Sequence, residues 1–65
     1  MLFIAIPTSD LDQLPKGVEV KINGEPVIIR EIGGYLLWGD QRRRILEMHP
    51  SVDGDGVECI SFTAE

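Results

Sequence analysis

The chain has 65 residues and a formal net charge of −5, with 11 acidic residues against 6 basic ones. This length predicts one small domain, residues 1–65, whose thin core leaves a small stability margin that association with another protein or a second copy would increase. The net negative charge disfavours a general nucleic-acid binder, because phosphate binding depends on a cationic surface. A hydrophobic content of 43% excludes an intrinsically disordered chain.

The N-terminal apolar run, residues 2–6, predicts a β-strand that ends at Pro7. It is too short for a membrane span and no basic segment precedes it, so it is not interpreted as a signal peptide. Since every position is apolar, we expect a strand buried on both sides or covered on one side by another subunit. The single cysteine, Cys59, excludes an internal disulfide framework and indicates a reducing compartment, so we expect a cytoplasmic protein with no membrane partner.

Residues 8–15 predict one short helical turn between the first strand and the next. Thr8 or Ser9 is a candidate N-cap, because a hydroxyl oxygen accepts a hydrogen bond from the backbone of the first turn. Leu11 and Leu14 are three positions apart and would close one end of the core. We interpret this segment as a structured connector.

Two β-branched runs flank Asn23-Gly24 and predict a β-hairpin. Asn and Gly tolerate the positive φ angles that a type I′ turn requires at both central residues. The two-residue turn fixes the register of the two strands and therefore which alternate side chains along each strand face inward. The predicted inner-face residues are Val18, Val20, Ile22, Val27 and Ile29.

Gly33-Gly34 predicts a second two-residue hairpin turn, which sets Ile29 opposite Trp38 and brings Trp38 to the inner face. The opposite face of these strands is then apolar as well. Such a face is either covered by the first strand or another strand of a small barrel, or it is exposed and binds a partner. Its candidate partner-binding residues are Ile28, Arg30, Ile32, Tyr35 and Leu37.

A third turn is predicted at residues 39–41, where a three-residue loop would set Arg42 opposite Trp38. The competing interpretation of residues 40–48 is a helix, because Gln, Arg, Leu, Glu and Met all have high helix propensity. Three arginines in the first helical turn would oppose the helix dipole, and the apolar spacing is poor, so we favour a strand. The inner-face residues of that strand would include Leu46 and Met48.

The chain thus divides into five or six short strands joined by tight turns, the last strand over residues 57–63. We predict an all-β fold, either a small antiparallel β-barrel or a bent meander sheet, similar in architecture to SH3-like barrels. If the one short helix is counted, α+β is the alternative class.

Residues that could carry chemistry are few. Asp53-Gly54-Asp55-Gly56 resembles part of a calcium loop, but the further oxygen ligands of such a loop are missing, so we favour a plain turn. His49 and Cys59 have no orienting group that the sequence identifies, and one His with one Cys cannot complete a four-ligand zinc site. We therefore expect no catalytic residue, no metal and no cofactor.

Arg42, Arg43 and Arg44 follow Tyr35 and Trp38 and form the most suggestive cluster. Arginine and aromatic residues are enriched at protein-interface hot spots. The same residue types stack the bases of single-stranded nucleic acids on small barrels. The plainest interpretation is that Trp38 belongs to the core and that the arginines are solvated or paired with nearby acidic residues.

The sequence therefore predicts a non-enzymatic interaction module that binds another protein, or itself, through the apolar sheet face or an edge strand. The alternative is a small β-barrel that binds single-stranded nucleic acid. The net charge disfavours this alternative, because it removes the long-range attraction to phosphates. The nucleic-acid-binding residues would be Trp38, Arg42, Arg43 and Arg44.

Overall fold

The computed structural model describes residues 1–65, and in it six strands and one short helix follow one another along the chain. The prediction of an all-β fold with five or six short strands is confirmed. The elements are β1 (Leu2–Pro7), a 3₁₀-helix (Thr8–Gln13), β2 (Val18–Ile22), β3 (Glu25–Ile32), β4 (Tyr35–Trp38), β5 (Gln41–Val52) and β6 (Glu58–Ala64).

All six strands belong to one antiparallel sheet in the order β1-β6-β5-β4-β3-β2, which curves into a nearly closed barrel. β1 and β2 are therefore the two edge strands. β5 has 12 residues, and it pairs with β4 through its first part and with β6 through its second part. The predicted small antiparallel barrel is confirmed, whereas the likeness to SH3-like barrels stays a prediction.

The first predicted hairpin is confirmed in both turn and register. Asn23 and Gly24 have φ angles of 53° and 82°, as a type I′ turn requires. Val18 lies opposite Ile29, and both side chains are buried. The turn residues and the apolar alternation specify the same register, and the structure adopts it.

The second predicted hairpin is also confirmed. Gly33 and Gly34 have φ angles of 60° and 88°, and Ile32 lies opposite Tyr35. The backbone N–H of Gly34 donates a hydrogen bond of 3.0 Å to Oε2 of Glu31, and this side-chain contact stabilises the turn. This register brings Trp38 to the inner face, where it is half-buried and packs against the core.

The third predicted turn is wrong by one residue. The loop contains two residues, Gly39 and Asp40, and Trp38 lies opposite Gln41 rather than opposite Arg42. Gly39 has a φ of 56°, whereas Asp40 has no positive φ, which is the pattern of a type II′ turn. A glycine at the first central position makes the two-residue turn sufficient, so the third residue belongs to the strand.

The strand interpretation of residues 40–48 is confirmed, but its inner face was predicted wrongly. Because the third turn has two residues rather than three, Ile45 rather than Leu46 faces inward: Ile45 packs against the core and Leu46 is 43% exposed. A bulge between Ile45 and Glu47 then shifts the alternation by one residue, so that Met48 lies opposite the buried Phe62, although it is 59% exposed. Such an extra residue leaves no signal in a pattern of alternating apolar positions.

The predicted helical turn is confirmed as the 3₁₀-helix, although the predicted cap is wrong. Pro7 occupies the N-cap position and no side chain caps the helix, so neither Thr8 nor Ser9 has that role. Leu14 is buried and Leu11 packs beside it against the core, as predicted. No helix in the structure has the length and apolar character that crossing a membrane requires.

β1 is buried on one face only. Ile4 and Ile6 are buried, whereas Phe3 is 73% exposed and Ala5 is exposed on the opposite face. The prediction of a strand buried on both sides is therefore wrong, because β1 lies at the sheet edge and no other element covers its outer side. Coverage by another subunit stays a prediction.

The core is small and contiguous. Burial of each larger aliphatic or aromatic side chain contributes roughly 1.5–3 kcal/mol, so the few fully buried residues supply most of the stability. The core consists of eight buried residues in mutual contact: Ile4, Ile6, Leu14, Val18, Ile29, Leu36, Phe62 and Ala64.

Candidate interaction surface

The outer side of the β3–β4 hairpin exposes apolar side chains. Ile28 and Ile32 on β3 are 55% and 46% exposed. Ile32 lies opposite Tyr35, and Leu37 lies opposite Arg30, so the strand pairing brings together the five residues that the sequence predicted for a binding face. The sequence left open whether another strand covers this face. In the structure Ile28, Arg30 and Ile32 are exposed, while Tyr35 and Leu37 are half-buried.

Two arginines of β5 extend this face. Arg42 lies opposite Leu37 and Arg44 opposite Tyr35, because the third turn has two residues rather than three. The guanidinium carbon of Arg42 is 4.0 Å from the centroid of the Tyr35 ring, a cation–π contact. We call the combined surface the outer patch, which consists of Ile28, Arg30, Ile32, Tyr35, Leu37, Arg42 and Arg44.

The cations of the outer patch are incompletely neutralised. The one ion pair in the structure joins Arg44 to Glu65 at 3.2 Å, and both side chains are 56% exposed, so it contributes at most about 1 kcal/mol. Arg30 has no carboxylate partner, and its Nε is 3.5 Å from the backbone oxygen of Pro15. Arg42 has no carboxylate partner either. The patch therefore carries positive charge on a chain whose net charge is −5.

Trp38 and Arg43 lie on the opposite side of the sheet from the outer patch. Arg43 faces the buried Leu36 across the β4–β5 ladder, and its guanidinium carbon is 6.0 Å from the Trp38 ring. Its guanidinium group donates hydrogen bonds of 3.2 and 3.0 Å to Oε1 of Gln41. The residues proposed for nucleic-acid binding are thus divided between two faces, with Trp38 and Arg43 on one and Arg42 and Arg44 on the other.

The loop before β2 supports one end of the outer patch. Gly17 has a φ of 131°, and a Cβ at this position would lie 2.7 Å from Cγ2 of Ile28. The backbone N–H of Glu31 also donates a hydrogen bond of 3.1 Å to the oxygen of Leu14. No local sequence pattern indicates this role of Gly17, because the contact depends on which side of β3 the loop crosses.

Asp53 stabilises its own turn. Its Oδ1 accepts hydrogen bonds from the backbone N–H groups of Asp55 and Val57, at 2.8 and 2.9 Å. These are the bonds of a plain Asx-type turn, the structure that the sequence favours over a calcium loop. The structure contains no cluster of three or more His, Cys, Asp or Glu side chains placed to hold a metal ion.

His49 and Cys59 occupy one side of the β5–β6 ladder, with two serines beside them. His49 lies opposite Ser61, and Ser51 lies opposite Cys59, while the two serine hydroxyls are 2.8 Å apart. The Cys59 thiol is buried and donates a hydrogen bond of 3.4 Å to the oxygen of Val57. No hydrogen bond joins His49 to the thiol, so the ladder places these groups on one side without assembling a base and a nucleophile.

Two shallow grooves lie away from the outer patch. The first, of about 430 Å³, follows the far end of the β5–β6 ladder and includes the half-buried Ser51. The second, of about 420 Å³, opens onto the core between the 3₁₀-helix and β5. The second groove is lined by Leu11, Leu14, Glu31, Gly34, Ile45, Met48 and Phe62.

Comparisons with protein-family models, with curated proteins and with solved structures found no match to this chain. Its function is therefore inferred from its own surface.

Proposed function

We propose that this protein is a non-enzymatic interaction module that docks another protein on its outer patch. The observation that supports the proposal is the exposed apolar pair Ile28 and Ile32 beside arginines that have no carboxylate partner. An exposed apolar patch with a polar rim is typical of protein-binding surfaces on small soluble domains. Arginine and tyrosine are also the residue types that dominate interface energetics.

The charge distribution favours an acidic partner segment. Arg30 and Arg42 lie on either side of Leu37, on the two strands that flank β4. An arginine forms two parallel hydrogen bonds with a carboxylate, which gives both attraction and orientation. A partner that presents apolar side chains between two acidic groups would match this arrangement, whereas a second copy of the patch would present like charges.

Affinity capture with the full chain as bait tests the proposal. The wild-type protein is compared with the double variant Ile28→Glu/Arg42→Glu, which places negative charge on the patch. Val52→Glu is the matched control, because Val52 is 64% exposed and lies outside the patch. We expect an acidic protein that the wild type and the control retain and the double variant does not, with retention that weakens as salt is raised.

Isothermal titration with the purified partner then gives the affinity of each variant. A loss of about tenfold or more for the double variant, against an unchanged value for the control, supports the outer patch. If both variants bind as the wild type does, the partner docks elsewhere and the proposal fails.

Binding of single-stranded nucleic acid is the second candidate, and the contact between Arg42 and Tyr35 is the observation that favours it. It has less support, because Trp38 packs against the core and the Tyr35 ring is already covered by a guanidinium group. A stacking site needs free aromatic faces. We also propose a cytoplasmic location, on the single cysteine alone.

A further inference from the structure

β1 has one hydrogen-bonded neighbour, and its other edge is free. It pairs with β6 through six consecutive residue pairs without a bulge. The eight backbone hydrogen bonds outside the strand ladders all involve other parts of the chain. An edge strand with free N–H and C=O groups is a template for pairing with a further strand.

The usual protections against such pairing are absent from β1. Proteins protect edge strands with charged side chains, internal prolines or bulges. Every side chain from Met1 to Ile6 is uncharged, and Pro7 stands at the last position of the strand. The other edge of the sheet is different, because β2 exposes Glu19 and Lys21.

We propose that the free edge of β1 pairs with β1 of a second copy of this chain, antiparallel about a two-fold axis at Ile4. This interface goes beyond the proposed function, which concerns the outer patch. A two-fold axis makes a strand antiparallel to its own copy, so one uncharged edge supplies both halves of the interface. The two sheets then join into one.

The side chains of β1 complement one another in this register. Phe3 lies opposite Ala5 of the second copy, and Ala5 opposite its Phe3, on the outer side of the strand. Phe3 is 73% exposed in the single chain, and Ala5 is exposed beside it. A large ring opposite a small side chain covers apolar surface without a clash. Pro7, which lacks an N–H, comes opposite Met1 at the end of the ladder, where one missing hydrogen bond costs least.

Charge also favours the β1 edge over the outer patch for self-association. Two copies that each carry a net charge of −5 meet here along strands without charged side chains. Association of two outer patches would instead bring the arginines at positions 30 and 42 of both copies together, and like charges at an interface are unfavourable.

Analytical ultracentrifugation of the full chain over a concentration series tests this proposal. We expect the wild type to form a dimer, and Phe3→Glu or Ala5→Lys alone to raise its dissociation constant about tenfold or more, because each change occurs twice in the interface. The double variant Phe3→Glu/Ala5→Lys should restore dimerisation. In the proposed register the new carboxylate and the new ammonium group face each other across the axis at two places.

Ile28→Glu is the matched control, because it changes the outer patch and leaves β1 intact. It should weaken partner capture without affecting the dimer, so failure of one proposal is distinguishable from failure of the other. Thermal unfolding followed by Trp38 fluorescence checks that each variant folds. The proposal fails if the wild type remains monomeric at the highest concentration studied. It also fails if the double variant dimerises no more tightly than the single variants.

Discussion

The replacement Gly17→Ala should destabilise the protein for two separable reasons. The φ of Gly17 is 131°, and an L residue held in such a region costs about 1–3 kcal/mol. The new Cβ would also lie 2.7 Å from Cγ2 of Ile28, so that side chain has to move. Because Ile28 is 55% exposed, it can rotate at a cost of roughly 0.5–1.5 kcal/mol. The total loss in the free energy of unfolding is then about 2–4 kcal/mol.

A double-mutant cycle with Ile28→Ala separates the two contributions. The second change removes Cγ2, so Gly17→Ala in that background should lose only the backbone part and cost about 1 kcal/mol less. Urea unfolding followed by the fluorescence of Trp38 gives each free energy, and each kcal/mol should lower the melting temperature by about 4–8 °C. Equal costs in both backgrounds would refute the contact with Ile28. A total cost below about 0.5 kcal/mol would refute the strained backbone as well.

Three further predictions concern the turns and the tryptophan. Gly24→Ala should cost about 1 kcal/mol, because Gly24 has a φ of 82° and nothing else within 4 Å of a new Cβ. Gly54→Ala is its control, with equal space and no positive φ, and a similar loss at both positions would contradict the turn geometry. Asp53→Ala should cost about 1–2 kcal/mol in urea unfolding, since two backbone N–H groups lose their acceptor, while added calcium should leave the wild-type melting temperature unchanged. A calcium-dependent rise would instead assign the loop to metal binding. Titration with single-stranded DNA at low salt should leave the fluorescence of Trp38 unchanged, because this side chain packs against the core, and salt-sensitive quenching would favour the nucleic-acid alternative.

The first two hairpins were predictable because their turns are determined locally. Asn23-Gly24 and Gly33-Gly34 adopt positive φ angles that few other residue pairs tolerate, so the sequence specifies where each strand reverses. The third turn carried a usable signal too. Glycine followed by aspartate, at Gly39-Asp40, also fits a two-residue hairpin turn, and applying that rule would have given the correct register.

Other features depend on the assembled sheet. The bulge after Ile45 and the exposure of Phe3 follow from how β5 bends and from which strand lies at the edge. Neither has a local sequence signature. The five residues predicted for the binding face lie together because their hairpin was predicted correctly. Arg42 and Arg44 were missed as members of this surface because a shift of one residue moves a side chain to the other face.

The pairing of the first strand with the last also determines when the fold can be completed. Leu2 lies opposite Ala64, so β1 finds its ladder partner only in β6, which is synthesised after all the other strands of the sheet. Until β6 emerges, β1 has no strand to pair with, and closing so long a loop makes folding slow compared with a local hairpin. A nascent chain held on the ribosome before β6 has emerged should therefore expose an apolar N-terminal segment that chaperones can bind.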